Sequence, residues 1–262
     1  MNHLDAETPS ITIRALAEPA DFERVVDLEL AVWGDNPRGA LPASIMRVLT
    51  LGGGIVHGAF DGSRLVGASI AFPLQREDRW ILWSYLTGVV AAYRNRGIGR
   101  SLKLAQRGYA LERGLPEIRW TFDPLRRGNA HFNLCQLKAF TNIYHVDFYG
   151  TLHDQINVSA PSDRVEVIWP VEEDPAEPDS IQSESWALCA DQSGWPVTQI
   201  FSAGDVFWVE IPADLSTLNP SAIMSWRLAL RTTLQAAFSQ GYKATNFRLQ
   251  GGRWAYFLQR CP

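Results

Sequence analysis

The sequence predicts a mixed α+β protein, and three observations carry that prediction. Ile11-Thr12-Ile13-Arg14 alternates apolar and polar residues as a strand does. An apolar run from Trp80 to Ala92 breaks at two glycines and resumes at Ile98, Leu102, Ala105 and Tyr109, the spacing of one helix face. Strand, helix and strand then follow one another again near the C-terminus.

Taken in order, Glu18-Pro19-Ala20-Asp21 opens a first helix with Val25, Leu28 and Val32 on one face, ending near Trp33-Gly34. A Gly/Pro-rich turn leads to a second helix from Pro42 to Leu51, which Gly52-Gly53-Gly54 breaks. Ile55 to Phe60 and Leu65 to Phe72 flank Asp61-Gly62-Ser63, the pattern of a hairpin. Trp80 to Val90 reads as the next strand, and the helix after it ends at Gly114. Glu117 to Phe122 is a strand stopped by Asp123-Pro124. Arg127 to Phe140 reads as a helix and Asn142 to Tyr149 as a strand.

Beyond residue 158 the character changes, and we place a domain boundary there, giving 1–158 and 159–262. Arg164 to Trp169 is strand-like. The stretch PVEEDPAEPDSIQSES that follows is rich in proline and acid and lacks aromatics, as a solvated connector does. Val206 to Ile211, Ala244 to Leu249 and Trp254 to Leu258 read as strands. Ser221 to Gln240 reads as an amphipathic helix with Ile223, Trp226, Leu230 and Ala237 on its apolar stripe. This repeats the local order around residues 86–104, but Ile211-Pro212-Ala213-Asp214-Leu215 has no glycine loop. The C-terminal part is therefore either a degenerate second half or an α+β extension.

The junction Leu86 to Leu104, LTGVVAAYRNRGIGRSLKL, carries the functional signal. Where a strand gives way to a helix across glycines, the first amides of the helix point outward, the helix dipole is positive there, and a bulky anion can approach. Arg94, Arg96 and Arg100 add charge to the same segment, which also includes Asn95, Gly97, Ile98 and Gly99. A pyrophosphate is the economical ligand; a basic turn with ordinary cap glycines is the alternative. A nucleoside-triphosphate loop needs a closing Gly-Lys-Ser/Thr, and the dinucleotide fingerprint needs a third glycine and a later acid. Neither pattern is present.

Arg94-x-x-Gly97-x-Gly99 after a hydrophobic strand resembles the Arg/Gln-x-x-Gly-x-Gly/Ala motif of the GNAT superfamily of N-acetyltransferases. The element order over about residues 10 to 158 resembles that fold as well. Arg127-Gly128-Asn129-Ala130-His131-Phe132-Asn133 and Asp147-Phe148-Tyr149-Gly150 are similar to segments of a group of longer bacterial GNAT-like proteins. The resemblance implies a central, mostly antiparallel sheet that splays beside the loop, flanked by helices. It implies acetyl-CoA or another acyl-CoA as cofactor, with the pyrophosphate at Arg94 to Arg100 and the pantetheine arm on the backbone of Gly88, Val89 and Val90. Asn129 or Asn133 would bond the pantetheine amides. The implied acceptor is a small amine or amino acid, and the implied assembly a monomer or homodimer.

Acyl transfer to an amine needs a base, an oxyanion donor and, where the thiolate is protonated, an acid. The family's usual carboxylate is missing from the strand here, which reads Trp80-Ile81-Leu82-Trp83-Ser84-Tyr85-Leu86-Thr87, and Leu134 occupies the position of its usual tyrosine acid. Tyr144 is the substitute acid, His131 a candidate base, and Asp123 a candidate for orienting the amine. Each has a plainer reading: a tyrosine on the sheet, a surface helix residue and a turn-forming Asp-Pro. Trp83, Tyr85, Trp120 and Phe122 would line an acyl pocket or pack in the core. Arg126 or Arg127 would suit a succinyl carboxylate. A non-catalytic acyl-CoA-binding sensor is the alternative to an enzyme.

Composition limits the other classes. A net charge of −4 lacks the broad basic face of a nucleic-acid binder. Neither a membrane-spanning run nor a signal-peptide layout is legible, and three cysteines without ligand spacing suit a reducing cytoplasm and suggest no metal site.

Overall fold

The computed structural model describes residues 11–34, 39–150, 161–172, 183–199 and 206–260. They fall into two compact units, 11–118 and 119–260, the division passing through one strand. The boundary expected after residue 158 and most of the acidic connector lie outside the described residues.

In the first unit, β1 (Ile11–Ala15), β2 (Ile55–Asp61), β3 (Arg64–Arg76) and β4 (Arg79–Val89) form an antiparallel sheet in that order. Helices α1 (Pro19–Trp33) and α2 (Ala43–Leu51) cover one face. Phe22, Val25, Leu28 and Met46 pack there on Val56, Ala68 and Ile70. On the other face α3 (Ile98–Glu112) sets Ile98 and Leu102 against Ala59 and Val66. Period-2 strands between two amphipathic helix faces account for both cores. The register slips between Ile70/Leu86 and Ala71/Ser84, so Tyr85 is an extra residue that bends β4. Gly54 is required by space: a Cβ there would lie 2.7 Å from the Leu49 carbonyl oxygen.

The second unit holds the last residues of β5 (Glu117–Phe122), then α4 (Arg127–His131), β6 (Phe140–His145), β7 (Arg164–Pro170), β8 (Trp186–Ala190), β9 (Pro196–Thr198), β10 (Val206–Glu210), α5 (Pro220–Ser239), β11 (Tyr242–Gln250) and β12 (Arg253–Arg260). Its strand order is β5-β7-β6-β11-β12-β10-β8-β9. Thus β11, far along the chain, pairs directly with β6. β12 lies between β10 and β11, and β8 and β9 are strands the sequence reading did not mark.

The helix expected over Arg127 to Phe140 is shorter than its apolar pattern suggests. After five residues it widens into a π-turn, Phe132–Gln136, with the Leu137 amide donating to the Phe132 carbonyl at 3.1 Å. Lys138 then turns left-handed at φ 57°, and the Ala139 amide closes on Asn133 O at 3.1 Å. β6 therefore starts at Phe140 rather than Asn142. It stops at His145 rather than Tyr149 because Asp147, at φ 48°, begins a turn.

Candidate functional site

The glycine loop of the first unit leaves β4 at Val89. The Val90 amide donates to Val66 O at 3.0 Å, and one 3-10 turn, Ala91–Tyr93, carries the chain to Arg94. Arg94 Nε donates to Val89 O at 3.1 Å and thereby folds its side chain back over the strand end. Tyr93 anchors the turn by donating its hydroxyl to Asp61 Oδ2 at 2.6 Å, and the Arg96 guanidinium lies 5.0 Å from the Tyr93 ring centre. Asn95 at φ 60° and Gly97 at φ 77° take left-handed conformations that reverse the chain into α3. A Cβ on Gly97 would meet nothing within 4 Å, so this corner faces open space.

The first amide of α3 with a helical partner is that of Ser101, which donates to Gly97 O at 3.0 Å. The amides of Ile98, Gly99 and Arg100 precede it, the Gly97 N-cap offers no side chain to cap them, and no acidic residue stands in the first turn. Arg94, Arg96 and Arg100 are exposed around them. The arrangement suits an anion with several oxygens.

Behind the loop, Gly88 lies beneath the indole of Trp33, where a Cβ would come within 2.4 Å of the ring. Lys103 of α3 is buried and its Nζ donates to Ser84 Oγ at 2.8 Å; burial pushes this amine well below its ordinary range. His57, Ser69 and Thr87 stand opposite one another across β2, β3 and β4 on the α3 side. Burial lowers the His57 imidazole to about 4.

The remaining candidates lie in the second unit. Asn133 is buried, with Oδ1 accepting from Trp120 Nε1 at 3.3 Å, whereas Asn129 is exposed. His131 is exposed at the end of α4. Asp123 is buried: Arg227 of α5 donates to both its oxygens at 3.1 and 2.9 Å, and Oδ1 also accepts the Leu125 amide at 3.0 Å. Tyr144 donates to Asp163 Oδ2 at 2.6 Å, and Asp163 in turn receives two bonds from Arg231, both 2.9 Å. Burial, then the bond to Asp163, raises the Tyr144 phenol far above its ordinary range. Asp123 and Tyr144 are thus joined to successive turns of one helix. Arg126 lies 3.8 Å from Asp123, and Arg127 sits over the Trp254 ring at 5.0 Å. Trp120 and Phe122 are buried, Trp120 edge-on to Trp169 at 6.1 Å, while Tyr85 is exposed.

The sequence reading did not mark Arg227, Arg231 or the group Arg119, His145 and Glu166. The first pair was visible as two arginines four residues apart beside the apolar stripe of α5. The second group had no linear signal, since it comes from three strands.

No family model matches the sequence, and no curated protein matches it. Solved structures do. YncA of Salmonella typhimurium, solved with its cofactor acetyl-CoA, is similar at 16% identity and a TM-score of 0.50 over 65% of this chain and 99% of that one. A GNAT-family protein from Desulfovibrio desulfuricans is similar at 14% identity and a TM-score of 0.50 over 62% of this chain and 99% of that one. The chain has the GNAT fold.

Proposed function

We propose that the protein is an acyl-CoA-dependent N-acyltransferase of the GNAT superfamily that transfers an acyl group, acetyl in the first instance, to a small amine or amino acid. The observation that carries this reading is the uncapped start of α3: amides of Ile98, Gly99 and Arg100 without a side-chain cap, behind a left-handed Gly97 and among three exposed arginines. The pyrophosphate of the coenzyme binds there. The pantetheine follows the backbone of Gly88 to Val90. Residues 1–158 form the coenzyme-binding part and 159–262 the extension. Catalysis rests on orientation and on a backbone amide as oxyanion donor. Asp123 and Tyr144 act through the ion-pair network with α5 and hold the sheet in place, while His131 is a surface residue.

The test is calorimetric titration with acetyl-CoA, succinyl-CoA and free CoA, followed by thiol release against a panel of amines. Binding with thiol release is expected. A second reading, an acyl-CoA-binding protein without turnover, is favoured by the engagement of Tyr144 with Asp163; binding without release across the panel would select it. No binding by any of the three would overturn both.

A further inference from the structure

Between α3 and the sheet of the first unit lies a layer of polar side chains inside the core. His57 of β2, Ser69 of β3 and Thr87 of β4 stand side by side in register, His57 opposite Ser69 and Ser69 opposite Thr87. Neighbours paired in this way have Cβ atoms about 5 Å apart. The helix supplies a fourth group. Leu102 packs over Gly67, where a Cβ would lie 3.3 Å from its Cδ1. Further on, the Tyr109 hydroxyl donates to Gly53 O at 2.7 Å, and Gly53 lies beside Pro73, so α3 runs in the direction of β3. Gln106 comes one turn after Leu102, an advance of about 6 Å, and Ser69 comes two residues after Gly67, an advance of nearly the same length. Gln106 therefore stands over Ser69.

These groups are closed off from solvent. Ser69 and Gln106 are 0% exposed and His57 8%. His57 Nδ1, Ser69 Oγ, Thr87 Oγ1 and both amide atoms of Gln106 are buried with no hydrogen-bond partner among the described residues. A buried polar atom left unpaired costs more than its hydrogen bond would gain, so five at one spot require a common partner. The spot has room, because the sheet around Ser69 presents only Ala59, Gly67 and Ala71 beside it. The partner's chemistry follows from theirs. Hydroxyls and a carboxamide both donate and accept, and burial, by lowering the imidazole to about 4, keeps His57 neutral. Neutral groups of mixed polarity suit a neutral molecule that also donates and accepts. No cluster of three metal-binding side chains occurs among the described residues. Lys103, the amine of this layer, is engaged with Ser84 Oγ at 2.8 Å.

We propose that this layer is an internal water site: about two water molecules, each with roughly three hydrogen bonds, join His57, Ser69 and Thr87 to Gln106 and so tie α3 to three strands at once. Ile98 and Leu102 hold the start of the helix by apolar packing on Ala59 and Val66, and Tyr109 holds it further on. Water makes the connection in between. The site does not depend on whether the chain transfers acyl groups.

A crystal structure of the full chain tests this directly. Water density within hydrogen-bond distance of Ser69 Oγ and the Gln106 amide, and of His57 Nδ1 or Thr87 Oγ1, is expected. Side chains turned to bond one another, an ion, or no density at all overturns the assignment. Urea unfolding reads the same site by the sign of the change. Gln106→Met keeps nearly the same shape and removes both amide atoms. Around bound water this strands the remaining partners, and the folded-to-unfolded ratio should fall at least about fivefold. In a dry interface the same change relieves two buried atoms, so a smaller fall, or a rise, overturns the site. Ser69→Ala combined with Gln106→Met should cost less than the product of the two single losses, because both act on the same water. Losses that multiply refute a shared site. If Gln106→Met fails to fold, Ser69→Ala and Thr87→Val make the same comparison, with the same outcomes.

Discussion

Helices α3 and α5 begin in opposite ways. α5 follows Asn219, whose side chain accepts the Ala222 amide at 2.8 Å, and Pro220 opens its first turn. α3 follows a left-handed glycine and leaves its first amides uncapped among arginines. Their basic side chains differ in the same sense. Lys103 of α3 meets the neutral hydroxyl of Ser84, and burial lowers its amine. Arg227 and Arg231 of α5 each meet a carboxylate through two hydrogen bonds, and their guanidinium groups are raised. One helix closes its polar groups within the protein and holds strands together. The other starts at a glycine that offers no capping side chain.

The strongest way to break this contrast is at Gly97. Gly97→Glu places a negative side chain at the open helix start, and acetyl-CoA affinity should fall more than 100-fold by calorimetry. Gly97→Asn, which tolerates the left-handed backbone, should retain most of the affinity. Equal binding by all three proteins would mean that the loop is not the anion site.

On the α5 side, Arg227→Ala strands Asp123 as a buried charge. Urea unfolding should show a loss of about 3–5 kcal/mol. A loss below about 1 kcal/mol would show that the ion pair does not hold α5 in place.

The α3 side is sharpened by pH. His57 is neutral in the fold, lowered from 6.5 to about 4, so the unfolded chain binds the extra proton between those values. This contribution is absent above pH 6.5, grows unfavourable as pH falls and is complete below about pH 4, where it amounts to roughly 3 kcal/mol. His57→Gln should flatten stability against pH over that interval. An unchanged slope would remove His57 as its source. The smallest effect belongs to Asn219→Ala: a loss of about 1 kcal/mol in thermal or urea unfolding, with coenzyme affinity untouched. A change in affinity would mean that the two helix starts are not independent.

The loop was legible because it is built from contiguous backbone. Arg94 to Gly99 needs only a strand before it and a helix after it, and hydrophobic periodicity supplied both. Ends set by hydrogen bonding were less legible: the π-turn at Phe132–Gln136 carries the same apolar spacing as an α-helix, so nothing in the pattern marked where β6 begins. Candidate catalytic side chains were harder still. Asp123 and Tyr144 have the chemistry of an acid or an orienting group, but their partners, Arg227 and Asp163, stand 104 and 19 residues away. Strand β11 reaches β6 across a separation of 103 residues in the register pair Ala244 and Thr141, a pairing no local pattern specifies.

The sequence by itself determined the alternation of strands and helices, the glycine loop and its charge, because these depend on residue spacing and backbone freedom within a few turns of chain. Tertiary structure decided which polar groups are occupied and which are open. Pairing strands distant in sequence brought Arg119, His145 and Glu166 together, and packing α5 within the second unit set Asp123 in an ion pair with Arg227 and Tyr144 in a hydrogen bond to the ion-paired Asp163. A hydrogen bond forms between whichever partners the fold brings within 3 Å or so, and that distance is a property of the folded chain rather than of any stretch of it.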